Sequence, residues 1–114
     1  MSIDRLHEVL REAEGQFEPP INHYFTTNGL YAREMVLPAG ASVIGKVKQD
    51  EHISIVFGNV ISVTEHEKQH LRGYNVLVCM PGTKRAIYAI SPCIWTTIHK
   101  TDAKTPEAAE ADIV

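Results

Sequence analysis

Between Leu30 and His99 the chain is a succession of short runs rich in β-branched and aromatic residues, each closed by a turn signal. The runs are Leu30–Leu37, Ser42–Lys48, His52–Phe57, Val60–Thr64, Gln69–Arg72, Asn75–Met80, Arg85–Ala89 and Ile94–His99. Pro38-Ala39-Gly40, Gly58-Asn59, Glu65 to Lys68, Gly73, Pro81-Gly82 and Ser91-Pro92 separate them. Proline fixes φ and glycine reaches positive φ, so these are residues that let a strand stop and turn. No segment between the runs is long enough for the helix of a βαβ crossover, which argues against a parallel sheet. Short strands at near-regular spacing predict an all-β antiparallel barrel or sandwich.

The flanks read differently. Ile3, Leu6, Leu10 and Ala13 recur at helical spacing, with Ser2 as a cap, Asp4 in the first turn and Gly15 as a stop. Pro19-Pro20 then enforces an extended link. After Lys100 the chain is polar and rich in Ala and Glu, with Thr105-Pro106-Glu107 as a helix start or a frayed end. The expected organisation is a helix and arm over residues 1–28, a barrel over 29–100 and a polar tail over 101–114.

Composition narrows the function classes. The 114 residues suit one domain, and 44% hydrophobic residues supply one core. A net charge of −3, most of it in the two flanks, gives no basic field, so no nucleic-acid partner is expected. Residues 1–15 alternate charge and apolarity unlike a signal peptide, and no apolar run approaches the ~20 residues that cross a bilayer. A cytoplasmic protein without a membrane partner is expected. Cys79 and Cys93 both lie in apolar, strand-like runs and read as buried, reduced thiols.

The middle of the chain resembles the cupin family of small metal-binding β-barrels. The resemblance is carried by Pro38-Ala39-Gly40 before a strand, by Gly45 to His52, by Gly58 opening the next strand, and by Pro81-Gly82-Thr83-Lys84-Arg85. It spans roughly residues 30–100 and implies an antiparallel jelly-roll barrel, here with a short N-terminal helix, and a homodimer or higher homo-oligomer. The texture is also similar to small cupin-like proteins of bacteriophages, which would place the chain in host cytoplasm or virion.

The chain departs from that family where the family holds its metal. In place of the first motif's histidine pair stand Lys46, Lys48 and Asp50, with His52 remaining beside Glu51; in place of the second motif's histidine stands Arg85. A divalent ion needs converging imidazoles or carboxylates. Lysine and arginine are cations at neutral pH, and at ~4 Å each repels a divalent ion by several kcal/mol. No cofactor is therefore expected. If a divalent transition metal binds, its ligands are Asp50, His52 and His99.

Lys46, Lys48, Asp50 and His52 share parity, so a regular strand puts all of them on one face. Facing inward, with Arg85 and Tyr88, they make a pocket in which Arg85 grips the carboxylate or phosphate of a small anionic ligand. The competing reading is a set of solvated charges on a strand end that peels from the barrel. His66-Glu67-Lys68-Gln69-His70 spells H-E-x-x-H, but it falls between two strand-like runs and reads as a polar hairpin turn. His7 and His23 have no partner that sequence identifies, and Tyr24, Phe25, Tyr31, Tyr88 and Trp95 read as core, with Tyr88 or Trp95 able to stack on a ligand. Neither a glycine-rich phosphate loop nor a Gly-x-Ser-x-Gly elbow occurs.

Three functions follow as expectations. The first is a non-catalytic or anion-binding cupin with a degenerate metal site. The second is a metal-dependent enzyme with non-standard ligands. The third is a viral structural or assembly protein on a cupin scaffold.

Overall fold

The computed structural model describes residues 19–114. Within them lie seven strands and one helix. The strands are β1 (Ile21–Phe25), β2 (Leu30–Leu37), β3 (Ser42–Ile44), β4 (His52–Val63), β5 (Lys68–Cys79), β6 (Ala86–Ala89) and β7 (Cys93–Lys100); the helix is α1 (Pro106–Ile113). Every pairing is antiparallel, in the order β1-β2-β7-β4-β6-β3, with β5 on the other side of β4. The fold is thus the all-β antiparallel barrel that the run-and-turn pattern predicts. The helix expected near residues 3–15 lies outside the described residues.

β4 curls the sheet. Ile53–Phe57 pair with β7 while Val60–Val63 pair with β6, so one strand serves two neighbours in turn. The sequence reads Gly58-Asn59 and Gly73 as turns, yet the chain does not turn there. Gly58 and Gly73 face each other in the register of one long β4–β5 hairpin. Gly58 has φ +132, and a Cβ on it would stand 2.3 Å from Cys93 Cβ. Here glycine lets β7 press against a bending strand rather than ending that strand. The turn of the hairpin is at Glu65 and His66, so the H-E-x-x-H letters lie across a turn and a strand start, as the hairpin reading has it.

Two strand limits differ from expectation for a hydrogen-bonding reason. The run Ser42–Lys48 stops being a strand after Ile44. Beyond it the backbone finds partners outside the sheet. Gly45 N–H donates to Arg85 O at 2.9 Å, Lys48 O accepts from Gly82 N at 2.9 Å, and Gln49 N–H donates to Ile113 O at 2.9 Å. The extended arm, by contrast, joins the sheet as β1, with Ile21 opposite Met35.

Alternation sorts the side chains. On β2 the inward row is Tyr31, Arg33, Met35 and Leu37; on β4 it is His52, Ser54, Val56, Gly58, Val60 and Ser62. Leu37, Val56, Val60, Leu71, Ala89 and Cys93 fill one end of the barrel. At the other end the inward rows turn polar. There α1 docks: Ala109 and Ile113 are buried against Tyr31, with Phe25 and Ala103 beside them. Thr105 caps α1 by accepting from Ala108 N at 3.2 Å, and Pro106 begins its first turn. The tail is therefore a seated helix at the barrel mouth.

The outer face of β4, β5 and β7 is apolar. Phe57, Tyr74, Val76 and Val78 are each more than half exposed, and Ile53 and Ile94 are exposed beside them. The register sets Ile53 against Val78 and Phe57 against both Tyr74 and Ile94, so these side chains form one patch.

Candidate functional site

The polar end of the barrel encloses a cavity of about 410 Å³. Its floor is apolar, from Met35, Ile87 and Trp95. Its walls carry Arg33, Lys46, Lys48, His52, Ser54, Cys79, Arg85 and Thr97, and α1 closes part of the mouth with Glu107 and Glu110.

Arg33 reaches the cavity because β2 alternation points it inward between Tyr31 and Met35. Arg85 is held on two sides: its Nη1 donates to Ser62 Oγ at 2.5 Å, and its guanidinium carbon lies 5.7 Å from the Trp95 ring centroid. Lys48 Nζ donates to Lys46 O at 2.7 Å. Burial, then the neighbouring Arg33, brings the Lys48 pKa down to about 8. Lys46 forms an ion pair with Glu110, whose carboxyl is held below its usual range by that hydrogen bond and charge.

The imidazoles form a second group. His52 and His99 have ring centroids 4.5 Å apart, and His99 is buried. Burial, together with the charges of His52, Lys48 and Arg33, lowers the His99 pKa to about 4, so it is neutral at pH 7. His99 Nε2 and Thr97 Oγ1 are buried without a hydrogen-bond partner. His23 and Tyr31 share a 2.6 Å hydrogen bond at the mouth, and burial raises the Tyr31 pKa.

Lys46, Lys48, His52 and Arg85 thus line one cavity, though from a loop, the start of β4 and the residue before β6 rather than from a single strand face. Tyr88 is a correction. Ile87 lines the cavity, and its neighbour Tyr88 lies on the opposite side of β6. Asp50 is a second correction: it is exposed in the loop outside the lining residues, where its carbonyl oxygen lies 3.2 Å from His52 Nδ1. Sequence reasoning missed Arg33, Cys79 and Ser54 as wall residues. A cation on the apolar row Tyr31–Met35–Leu37 was the available signal for Arg33. The other two needed the β4–β5 register, which sets Cys79 opposite His52.

Comparison with solved structures fixes the fold. A cupin superfamily protein of Desulfitobacterium hafniense superposes with a TM-score of 0.64 at 14% identity, covering 82% of this chain and 88% of that one. An RmlC-like cupin from Methanocaldococcus jannaschii, with a double-stranded β-helix fold, gives 0.58 at 14% identity over 85% and 90%. This chain has the cupin fold. Salicylate 1,2-dioxygenase from Pseudoaminobacter salicylatoxidans, a larger cupin-fold neighbour, gives 0.61 at 20% identity over 94% of this chain and 33% of its own. No protein-family model matches the sequence, and no curated protein matches it.

Cupins often bind a metal, so the fit of these residues to one matters. Among the described residues no group of three or more His, Cys, Asp or Glu side chains converges as a metal-holding set. The walls instead present Arg33, Lys46, Lys48 and Arg85, which repel a divalent ion. With Asp50 outside the lining, the expected set of Asp50, His52 and His99 reduces to two adjacent imidazoles. The donor chemistry does not fit a metal centre. Among the described residues no helix is long and apolar enough to cross a membrane.

Proposed function

We propose that this cupin-fold protein binds a small anionic ligand, a carboxylate or phosphate, in a cavity whose metal position has been given over to cations. The observation that carries it is the charge of the lining. Among the described residues Arg33, Lys46, Lys48 and Arg85 converge there, while the lining carboxylates Glu107 and Glu110 belong to α1 at the rim. Arg85, fixed by Ser62 and Trp95, presents the planar fork that matches a carboxylate or phosphate. Lys48 adds a half-buried ammonium, and the low-dielectric walls strengthen both. The apolar floor selects ligands with a small hydrocarbon part.

Isothermal titration with sulfate, phosphate and a panel of small carboxylates tests this. Saturable binding that weakens at least about tenfold in Arg85→Gln supports it, the loss expected for one charge-assisted contact. An absence of binding across the panel, or equal binding by the variant, overturns it.

A second reading concerns assembly and rests on a separate observation, the apolar patch on β4, β5 and β7. A sheet face of this kind packs on its own copy about a two-fold axis, because each residue then meets its counterpart. The protein is accordingly a homodimer joined through Phe57, Tyr74, Val76 and Val78. Contiguous exposed apolar surface of this kind is uncommon on monomers.

A further inference from the structure

We infer that the cavity is reactive as well as cationic: Cys79 is its nucleophile, and the ligand it takes is a small carboxylate that carries an electrophilic carbon. The charge of that ligand rests on the anion reading above; the thiol rests on other observations.

The chain has two cysteines, both buried and free, and their surroundings are opposite in kind. Cys93 begins β7 in the apolar end of the barrel, pressed against Gly58, where burial raises its pKa. Cys79 ends β5 on the cavity wall, opposite His52 and 3.3 Å from Ser54 Oγ. His52 and Gly58 are the β4 neighbours of the two thiols. Along a strand rising ~3.3 Å per residue, this sets the cysteines ~20 Å apart, too far for a disulfide.

Cys79 has the environment of a working thiol. Burial pushes its pKa up, but His52, Ser54 and the charge of Arg85 more than offset this, and the net direction is down. His52 is also oriented as a base. Its Nδ1 lies 3.2 Å from Asp50 O, and a carbonyl oxygen only accepts, so Nδ1 carries the proton and Nε2 is the basic nitrogen. A further atom marks the place of a ligand. Thr97 lines the cavity, pairs in register with Ser54, the residue that touches Cys79, and has its Oγ1 buried without a partner. Buried polar atoms are nearly always satisfied, and an oxygen atom of a ligand in the cavity would satisfy this one.

The step balances without a further reactant. The Cys79 Sγ electron pair forms a bond to the electrophilic carbon, the bond from that carbon to its leaving group breaks with its pair, and the thiol proton passes to His52 Nε2. The carboxylate stays among Lys48, Arg33 and Arg85.

Iodoacetate and iodoacetamide are probes of equal reach that differ by one charge. The full chain is treated with each at pH 7, modification of Cys79 and Cys93 is followed separately by peptide mass spectrometry, and glutathione serves as the reference thiol. Cys79, on the cavity wall beside His52, is expected to react at least about tenfold faster than Cys93, which is sealed in the apolar end. Its iodoacetate-to-iodoacetamide rate ratio is expected to exceed that of glutathione by about tenfold, the lower range of electrostatic focusing. That excess falls in Lys48→Gln and in Arg85→Gln, whereas His52→Gln slows both reagents alike. Cys79 no faster than Cys93 overturns the thiol, even where sulfate still binds. A fast Cys79 with the ratio of glutathione overturns the anionic ligand class and the anion reading with it.

Discussion

His52, on the cavity wall, and His99, buried behind it, have ring centroids 4.5 Å apart with their planes tilted by 31°. Burial holds His99 at a pKa of about 4, against 6.5 when unfolded. The unfolded chain therefore takes up the proton first as pH falls. Stability is whole above about 6.5, declines between 6.5 and 4 by at most about 1.4 kcal/mol per pH unit from this residue, and levels below. Urea unfolding at pH 7, 6, 5 and 4 reads the slope. His99→Leu, which removes the titration, flattens it; an unchanged slope in that variant contradicts the assignment.

Lys48 titrates from the other side. With a pKa of about 8 it is charged below that value and neutral above it. Sulfate, which does not titrate in this range, is expected to bind several-fold more weakly at pH 9 than at pH 7. Lys48→Arg keeps its charge and holds the affinity level across the interval. Calorimetric titration at both pH values makes the comparison.

Glu110 is one of two carboxylates that α1 sets among the cavity's cations, and it is paired to Lys46. Glu110→Gln frees that ammonium and reduces the local negative charge, so sulfate binds several-fold more tightly. Unaltered or weaker binding would mean that Lys46 takes no part in holding the ligand.

Gly58 and Gly73 face each other across β4 and β5 but tolerate a side chain differently. At Gly58 (φ +132) a Cβ meets Cys93 Cα at 2.9 Å and Pro92 O at 3.0 Å; at Gly73 (φ +71) it meets nothing within 4 Å. Gly58→Ala is expected to cost about 4 kcal/mol or more and to leave little folded protein, since backbone has to move. Gly73→Ala costs about 1–2 kcal/mol, the strain of a left-handed conformation alone. Chemical denaturation of both variants decides.

These two glycines also show where the sequence is readable and where it is not. β2 runs over Leu30–Leu37 as its alternation predicts, and β7 exceeds its predicted span by a residue at each end. Local pattern suffices for them because each buries one face. The apparent breaks at Gly58 and Gly73 are not breaks: Gly58 answers to a neighbour distant in sequence, Cys93, and Gly73 is its register partner inside one continuous hairpin. The same holds at the cavity. Lys46, Lys48, His52 and Arg85 are legible from motif position, whereas Cys79 enters through the register of a hairpin and Glu110 through the docking of a helix. Tyr88 failed by one residue of parity, which in a strand is the difference between the two faces.

The outer patch carries the prediction on assembly. Val76 and Val78 are 54% and 65% exposed at its centre, on one face of β5. Sedimentation of the wild type is expected to give a dimer. Val76→Lys together with Val78→Glu yields a folded monomer, because the alternating positions face outward and leave the barrel interior untouched. A wild-type monomer at micromolar concentration contradicts it.

The last described residues are part of the doorway. Gln49 holds the carbonyl oxygens of both Ile113 and Val114, and Val114 itself borders the cavity. Anything fused after Val114 therefore begins at the entrance, and a purification handle placed there would change which molecules get in. A library screened on a protein tagged at that end would report on the handle as much as on the barrel.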